Sequence, residues 1–136
     1  MEAAAKEMRD RIGERKPAIV AVTVLTSLDQ HSLSEIGIEQ TIDEQVRRLA
    51  LLAQDSGIDG VVCSPHEISM IREIVEPAFQ IVVPGIRMAG QSLHDQQRAA
   101  TPHDAIAAGA DYIVVGRAVT ENEDPHAALE RLIQTL

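Results

Sequence analysis

The residues of this chain best suited to hold an anion are Arg87 and the pair Gly116-Arg117. A glycine at the end of an apolar run lets backbone N–H groups approach a charged oxygen, and a neighbouring guanidinium can grip phosphate through two parallel hydrogen bonds. Arg87 closes the segment Pro84-Gly85-Ile86-Arg87 behind the preceding apolar run, and Gln96 in Asp95-Gln96 adds a neutral donor. Delivered from consecutive run ends, these groups would converge on one dianion. Arginines just past a strand also end as surface salt bridges, and residue type alone leaves both outcomes open. Thr26-Ser27 stand in the equivalent place after the first apolar run.

Other reactive types are better explained by structure. Cys63-Ser64 ends an apolar run, but no His-Asp pair is placed to activate either side chain. Cys63 reads as buried packing and Ser64 as a helix cap. His66, His103 and His126 each follow a proline that opens a helix, and they read as exposed first-turn residues rather than metal ligands. His31 and His94 read as loop residues, and Glu121, Glu123 and Asp124 as a solvated loop and a helix cap. The expectation is no metal and no cofactor.

The elements that must position these residues come from periodicity. Four apolar, β-branched runs, 18–25, 60–63, 79–83 and 111–115, are apolar almost throughout, as in strands of a parallel sheet covered on both faces. Between them lie helix signals. An opening helix over about 2–12 stops at Gly13, and Thr41 with Glu44 forms a capping box for a helix whose Ile42, Val46, Leu49, Ala50 and Ala53 share one face up to Gly57. Ser64-Pro65, Thr101-Pro102 and Asp124-Pro125 each place a capping side chain before a proline. The result is one domain over 1–136, a helix followed by four strand-helix units. An open doubly wound sheet could use four units, whereas a (β/α)8 barrel needs twice as many and typically about 250 residues.

With 136 residues and 14.8 kDa the chain has the size of one domain, and 45% apolar against 24% charged residues mark it as globular. Lys+Arg of 12 against Asp+Glu of 21 gives a net charge of −9, which repels a phosphate backbone, and Phe79 and Tyr112 are the only aromatics. Nucleic acid is therefore not an expected partner. No apolar run approaches a membrane span, the first residues lack a signal-peptide core, and a single cysteine makes no internal disulfide, so a cytoplasmic location is expected.

The runs Ala21-Val22-Thr23-Val24-Leu25-Thr26-Ser27, Asp59-Gly60-Val61-Val62-Cys63-Ser64, Pro84-Gly85-Ile86-Arg87, Asp95-Gln96 and Ala110 through Arg117 closely resemble orotidine 5′-phosphate decarboxylase, a (β/α)8 barrel family that makes uridine monophosphate. The likeness covers nearly the whole chain, with Asp124-Pro125 opening the last helix as in bacterial members. It implies an α/β fold, half of a TIM barrel formed by strands five to eight. It also implies that Thr26 and its neighbour Ser27 contact the pyrimidine or ribose side of orotidine or uridine 5′-monophosphate, while Arg87, Gln96, Gly116 and Arg117 hold the 5′-phosphate. Other phosphate-binding barrels, such as ribulose-phosphate epimerase and hexulose-phosphate synthase, fit Thr26-Ser27 and the Arg87 segment less well.

The family's catalytic array, of the form D-x-K-x-x-D, belongs to the amino-terminal half and has no counterpart here. The only lysines are Lys6 and Lys16, both ahead of the first strand. The resemblance therefore implies a chain with no catalytic residue of its own, inactive alone. A freestanding half-barrel that assembles with itself, into a homodimer or another homo-oligomer, and serves as a structural or phosphate-binding module is the alternative function, and an opening helix folded across the uncovered sheet face is a further way to hide that face. The methionine start inside what resembles a barrel helix points to a designed truncation.

Overall fold

A computed structural model describes residues 6–7, 17–87 and 100–136. Lys6 and Glu7, the described part of the expected opening helix, are helical, and its stop at Gly13 lies outside the described residues. The chain then runs β1 (Val20–Val22), α1 (Gln30–Glu35), α2 (Ile42–Asp55), β2 (Gly60–Val62), a 3-10 turn (Pro65–Glu67), α3 (Ile68–Arg72), β3 (Gln80–Val83), α4 (Pro102–Ala107), β4 (Tyr112–Ile113), α5 (Arg117–Thr120) and α6 (Pro125–Ile133). The four strands form one parallel sheet in the order β1-β2-β3-β4, with Val22, Val62, Val82 and Tyr112 in register across it. Strictly sequential order is that of consecutive barrel strands, whereas a doubly wound sheet reverses direction at a switch point.

All four strands fall within the expected runs but are shorter than them. Pairing thins at the ends to single bonds, such as Thr23 N–H to Val62 O at 3.1 Å and Val114 N–H to Val83 O at 2.8 Å. Apolar runs therefore mark extended chain, of which the ladder is only the middle.

In α2 the Glu44 carboxylate accepts the Thr41 N–H and hydroxyl at 2.9 Å each, which holds its pKa below the ordinary value, while Thr41 Oγ1 accepts the Glu44 N–H at 3.2 Å. Val46, Ala50 and Ala53 are buried on one face, as the spacing predicts. At its end Gly57 (φ 70°) donates to Gln54 O at 2.9 Å and Ile58 donates to Ala53 O at 3.0 Å, a Schellman close with Ile58 packed inward. Thr101 and Asp124 cap α4 and α6 by accepting the N–H of Asp104 and Ala127. Helix α1 departs from the expectation of a loop around His31. Asp29 caps it through the Ser32 N–H at 2.8 Å, and Leu33 is its one fully buried side chain, too few apolar residues to create a periodicity.

Val61, Cys63, Ile81 and Val83 pack with Val46, Ala50, Ala53, Ile68, Ile71 and Ala105 into a core between sheet and helices. At the amino end of the sheet Arg72 ties three elements together, donating to Phe79 O, Gly109 O and the Asp111 carboxylate at 2.9, 2.7 and 2.6 Å. Asp111 in turn accepts the Ile81 N–H at 2.7 Å. The other face of the sheet is open: Val22 and Tyr112 are each 55% exposed and Val114 51%.

Strand β2 passes so close to β3 that a methyl group on Gly60 would lie 2.7 Å from the Gln80 Cβ and press on the Gln80 backbone. Gly60→Ala is expected to lower stability by about 1–3 kcal/mol, as overpacking does. A chemical-denaturation midpoint equal to that of the unaltered chain would show that the two strands separate at little cost.

Candidate functional site

Because all four strands run the same way, everything that follows a strand collects at one end of the sheet. Thr26 and Ser27 form a turn after β1, closed by Leu28 N–H to Leu25 O at 3.0 Å, with Thr26 half-buried and Ser27 exposed. After β3, Pro84 and Gly85 bend the chain, with Gly85 in the left-handed region at φ 80°. Ile86 and Arg87 then run beside Ala100, where Arg87 N–H donates to Ala100 O at 3.0 Å. Gly116 follows β4 and caps α5, its carbonyl accepting the N–H groups of Val119 and Thr120, and Arg117 is the first residue of that helix. Gln96 lies outside the described residues.

Arg87 and Gly116-Arg117 thus leave adjacent, paired strands, and Thr26-Ser27 leave a strand two places away, with β2 between. The two arginines differ in environment. Arg117 is exposed and holds an interaction of its own, whereas Arg87 is only 8% exposed. Arg87 Nη1 donates to the neighbouring Ile86 carbonyl at 2.9 Å, and its Nη2 is buried without a hydrogen-bond partner. A buried guanidinium donor with no acceptor is costly, and an anion delivered to that strand end would satisfy it.

Cys63 is buried, and that burial, with the Glu67 charge nearby, pushes its thiol up to about 12 against a small opposing effect of Arg72. A thiol so shifted is not a nucleophile at neutral pH. Ser64 stands where the sequence places it, at the cap of a turn opened by Pro65, in a capping-box arrangement with Glu67. In that box the buried Glu67 carboxylate accepts the Ser64 N–H at 2.8 Å. The Ser64 hydroxyl is itself fully buried with no hydrogen-bond partner.

His66, His103 and His126 are exposed at helix starts, with His126 Nδ1 3.8 Å from Glu130 Oε1. His31 sits in α1, 3.5 Å from Glu35. His94 lies outside the described residues. Among the described residues no three His, Cys, Asp or Glu side chains gather as a metal site, and no helix is long and apolar enough to cross a membrane.

The family model for orotidine 5′-phosphate decarboxylase / HUMPS matches residues 1–132. The chain belongs to this family. Orotidine 5′-phosphate decarboxylase of Aliivibrio fischeri is 46% identical over 132 residues, which are 97% of this chain and 56% of that protein. The decarboxylase of Moorella thermoacetica is 51% identical over 127 residues, 93% of this chain and 50% of that one. Among solved structures, orotidine 5′-phosphate decarboxylase of Lactobacillus acidophilus superposes with a TM-score of 0.82 at 36% identity, covering 98% of this chain and 56% of that chain. A conserved protein of Geobacillus kaustophilus gives 0.79 at 36% identity with the same coverages. The chain therefore spans about half the length of the relatives it matches. As a member of the orotidine 5′-phosphate decarboxylase family it has the α/β fold with four parallel strands that the sequence led us to expect. The strand ends carrying Thr26, Arg87 and Arg117 lie at one end of that sheet.

Proposed function

We propose that this chain is the phosphate-binding half of an orotidine 5′-phosphate decarboxylase, a single (β/α)4 unit that grips the 5′-phosphate of orotidine or uridine 5′-monophosphate in the cytoplasm. The observation that carries the reading is the buried, unpartnered Nη2 of Arg87, one strand away from Gly116-Arg117. Gln96, nine positions after Arg87 in sequence, would add a donor, and Thr26-Ser27 would meet the nucleoside side. In this role the phosphate supplies binding energy for chemistry at a distance, on groups that the D-x-K-x-x-D array contributes in longer relatives.

Half a ring pocket gives little selection of the base. Uridine monophosphate, ribose 5-phosphate and inorganic phosphate are expected to compete for one weak site within about an order of magnitude of each other. Removing a charge-assisted contact worth about 1.5–3 kcal/mol by Arg117→Ala should weaken all three by roughly ten- to a hundredfold. Titration calorimetry measures this, and tight choice of the pyrimidine or indifference to Arg117 would overturn the phosphate assignment.

The open face at Val22, Tyr112 and Val114 favours a second reading, in which two copies of the chain close on each other as a homodimer.

A further inference from the structure

We propose that Ser64 Oγ contacts the ligand at the strand ends, hydrogen-bonding the ribosyl part of a bound sugar phosphate. The proposal rests on the phosphate reading above and extends it along the sheet.

The first observation is placement. Ser64 remains extended (φ −76°, ψ 159°), so the alternation of β2 continues through it. Val61 and Cys63 are buried in the core with the helices, so Val62 and Ser64 belong to the opposite face, the one that carries Val22 and Tyr112 in the same register. Ser64 therefore lies on the side of the sheet opposite the helices, at its carboxyl end, where it is itself fully buried.

The second observation is chemical. Ser64 stands at the cap of the 3-10 turn in a capping-box arrangement with Glu67, yet its fully buried hydroxyl makes no hydrogen bond of its own, and the bond formed in that box is the one from the Ser64 N–H to the Glu67 carboxylate. The next strand end carries the same anomaly in Arg87 Nη2, 8% exposed at the residue level. Two buried polar atoms at neighbouring strand ends, Ser64 Oγ and Arg87 Nη2, each lacking a partner, mark a place where a polar ligand would repay their desolvation. Both atoms are covered, so a ligand reaches them by displacing what overlies the strand ends.

The order of the strands selects the part of the ligand. Arg87 and Arg117 follow β3 and β4, which the proposed function makes the phosphate end, and Thr26 follows β1, which it makes the base end. Ser64 follows β2 and falls between them, where the sugar that joins base to phosphate must lie. A hydroxyl is both donor and acceptor and suits a sugar oxygen of either kind.

The test is a calorimetric titration of the full chain and of Ser64→Ala with ribose 5-phosphate and with inorganic phosphate, alongside thermal melts of both proteins. Ser64→Ala is expected to weaken ribose 5-phosphate by about three- to tenfold, the effect of one neutral hydrogen bond, and to leave inorganic phosphate within about twofold. The melting temperature should stay level or rise, because the alteration removes a buried group with no partner. A melting temperature lower by roughly 3–5 °C with unchanged affinities would make the hydroxyl a cap and overturn the proposal. So would equal losses for both ligands. If Arg117→Ala weakens both ligands while Ser64→Ala weakens neither, the sugar contact fails alone; a chain that binds neither ligand sinks the phosphate reading and this proposal together.

Discussion

Purified and supplied with orotidine 5′-phosphate, the 136-residue chain is expected to release no carbon dioxide above the uncatalysed background. Loss of the carboxylate leaves a carbanion, which needs a nearby cation while charge develops and a proton once the bond has broken. The strand ends described above offer cations in Arg87 and Arg117, but a guanidinium does not give up its proton in a protein. Cys63, with its thiol pushed up to about 12, sits buried beside Glu67, and Lys16 lies ahead of β1 in sequence while the site residues follow its carboxyl end. General acid catalysis contributes roughly 10²–10⁴ in rate, so a chain with no proton donor beside the reacting carbon is expected to show no turnover even where its arginines supply charge. The measurement is the absorbance of orotidine 5′-phosphate over hours, with protein from a host lacking its own decarboxylase. Turnover in that preparation would mean that one of the 136 residues donates the proton and that the expectation is wrong. Addition of a fragment bearing the D-x-K-x-x-D array should restore some activity, and Arg117→Ala should reduce what is restored.

How far the sequence foretells this molecule depends on how local the determining physics is. The four parallel strands are legible because a sheet packed against helices demands near-continuous apolar runs, and the caps at Thr41, Thr101 and Asp124 are legible because each is decided within four residues. Helix α1 is not, since one buried side chain, Leu33, makes no pattern, and neither is α5, a single turn behind Gly116. The Arg72 node joins residues 37 and 39 positions apart at Gly109 and Asp111, a coincidence that no window along the chain can register. At the site, Thr26, Arg87 and Arg117 are legible as strand-end residues by type, and their common end of the sheet follows from parallel pairing. What is not legible is burial. Nothing in Pro84-Gly85-Ile86-Arg87 says that this guanidinium is covered and half unpartnered while Arg117 is exposed, because the cover comes from the tertiary fold.

Light scattering on the eluting peak is expected to give about twice 14.8 kDa. The open face presents Val22, Tyr112 and Val114 to water, with half-buried Val62 and Val82 between them in the same register. A contiguous apolar patch of this kind drives association, and β1 and β4 add two unpaired sheet edges among the described strands. A two-fold axis parallel to the strands and in front of that face answers both needs at once: β4 of one copy pairs with β1 of the other on either side, and the two apolar faces become one interior. Electrostatics work against it, since each copy brings a net charge of −9, so the dimer should tighten as salt screens the repulsion over a Debye length near 10 Å at about 0.1 M. Val22→Asp tests the geometry. Val22 is 55% exposed in the single chain, so the substitution costs that chain little, but in the closed pair it buries two carboxylates facing each other without partners. The variant should elute at the mass of one chain with its helical circular dichroism intact. A dimer that survives Val22→Asp would place the contact elsewhere on the molecule, and an unaltered chain that stays monomeric at micromolar concentration would show that the face is covered from within one chain.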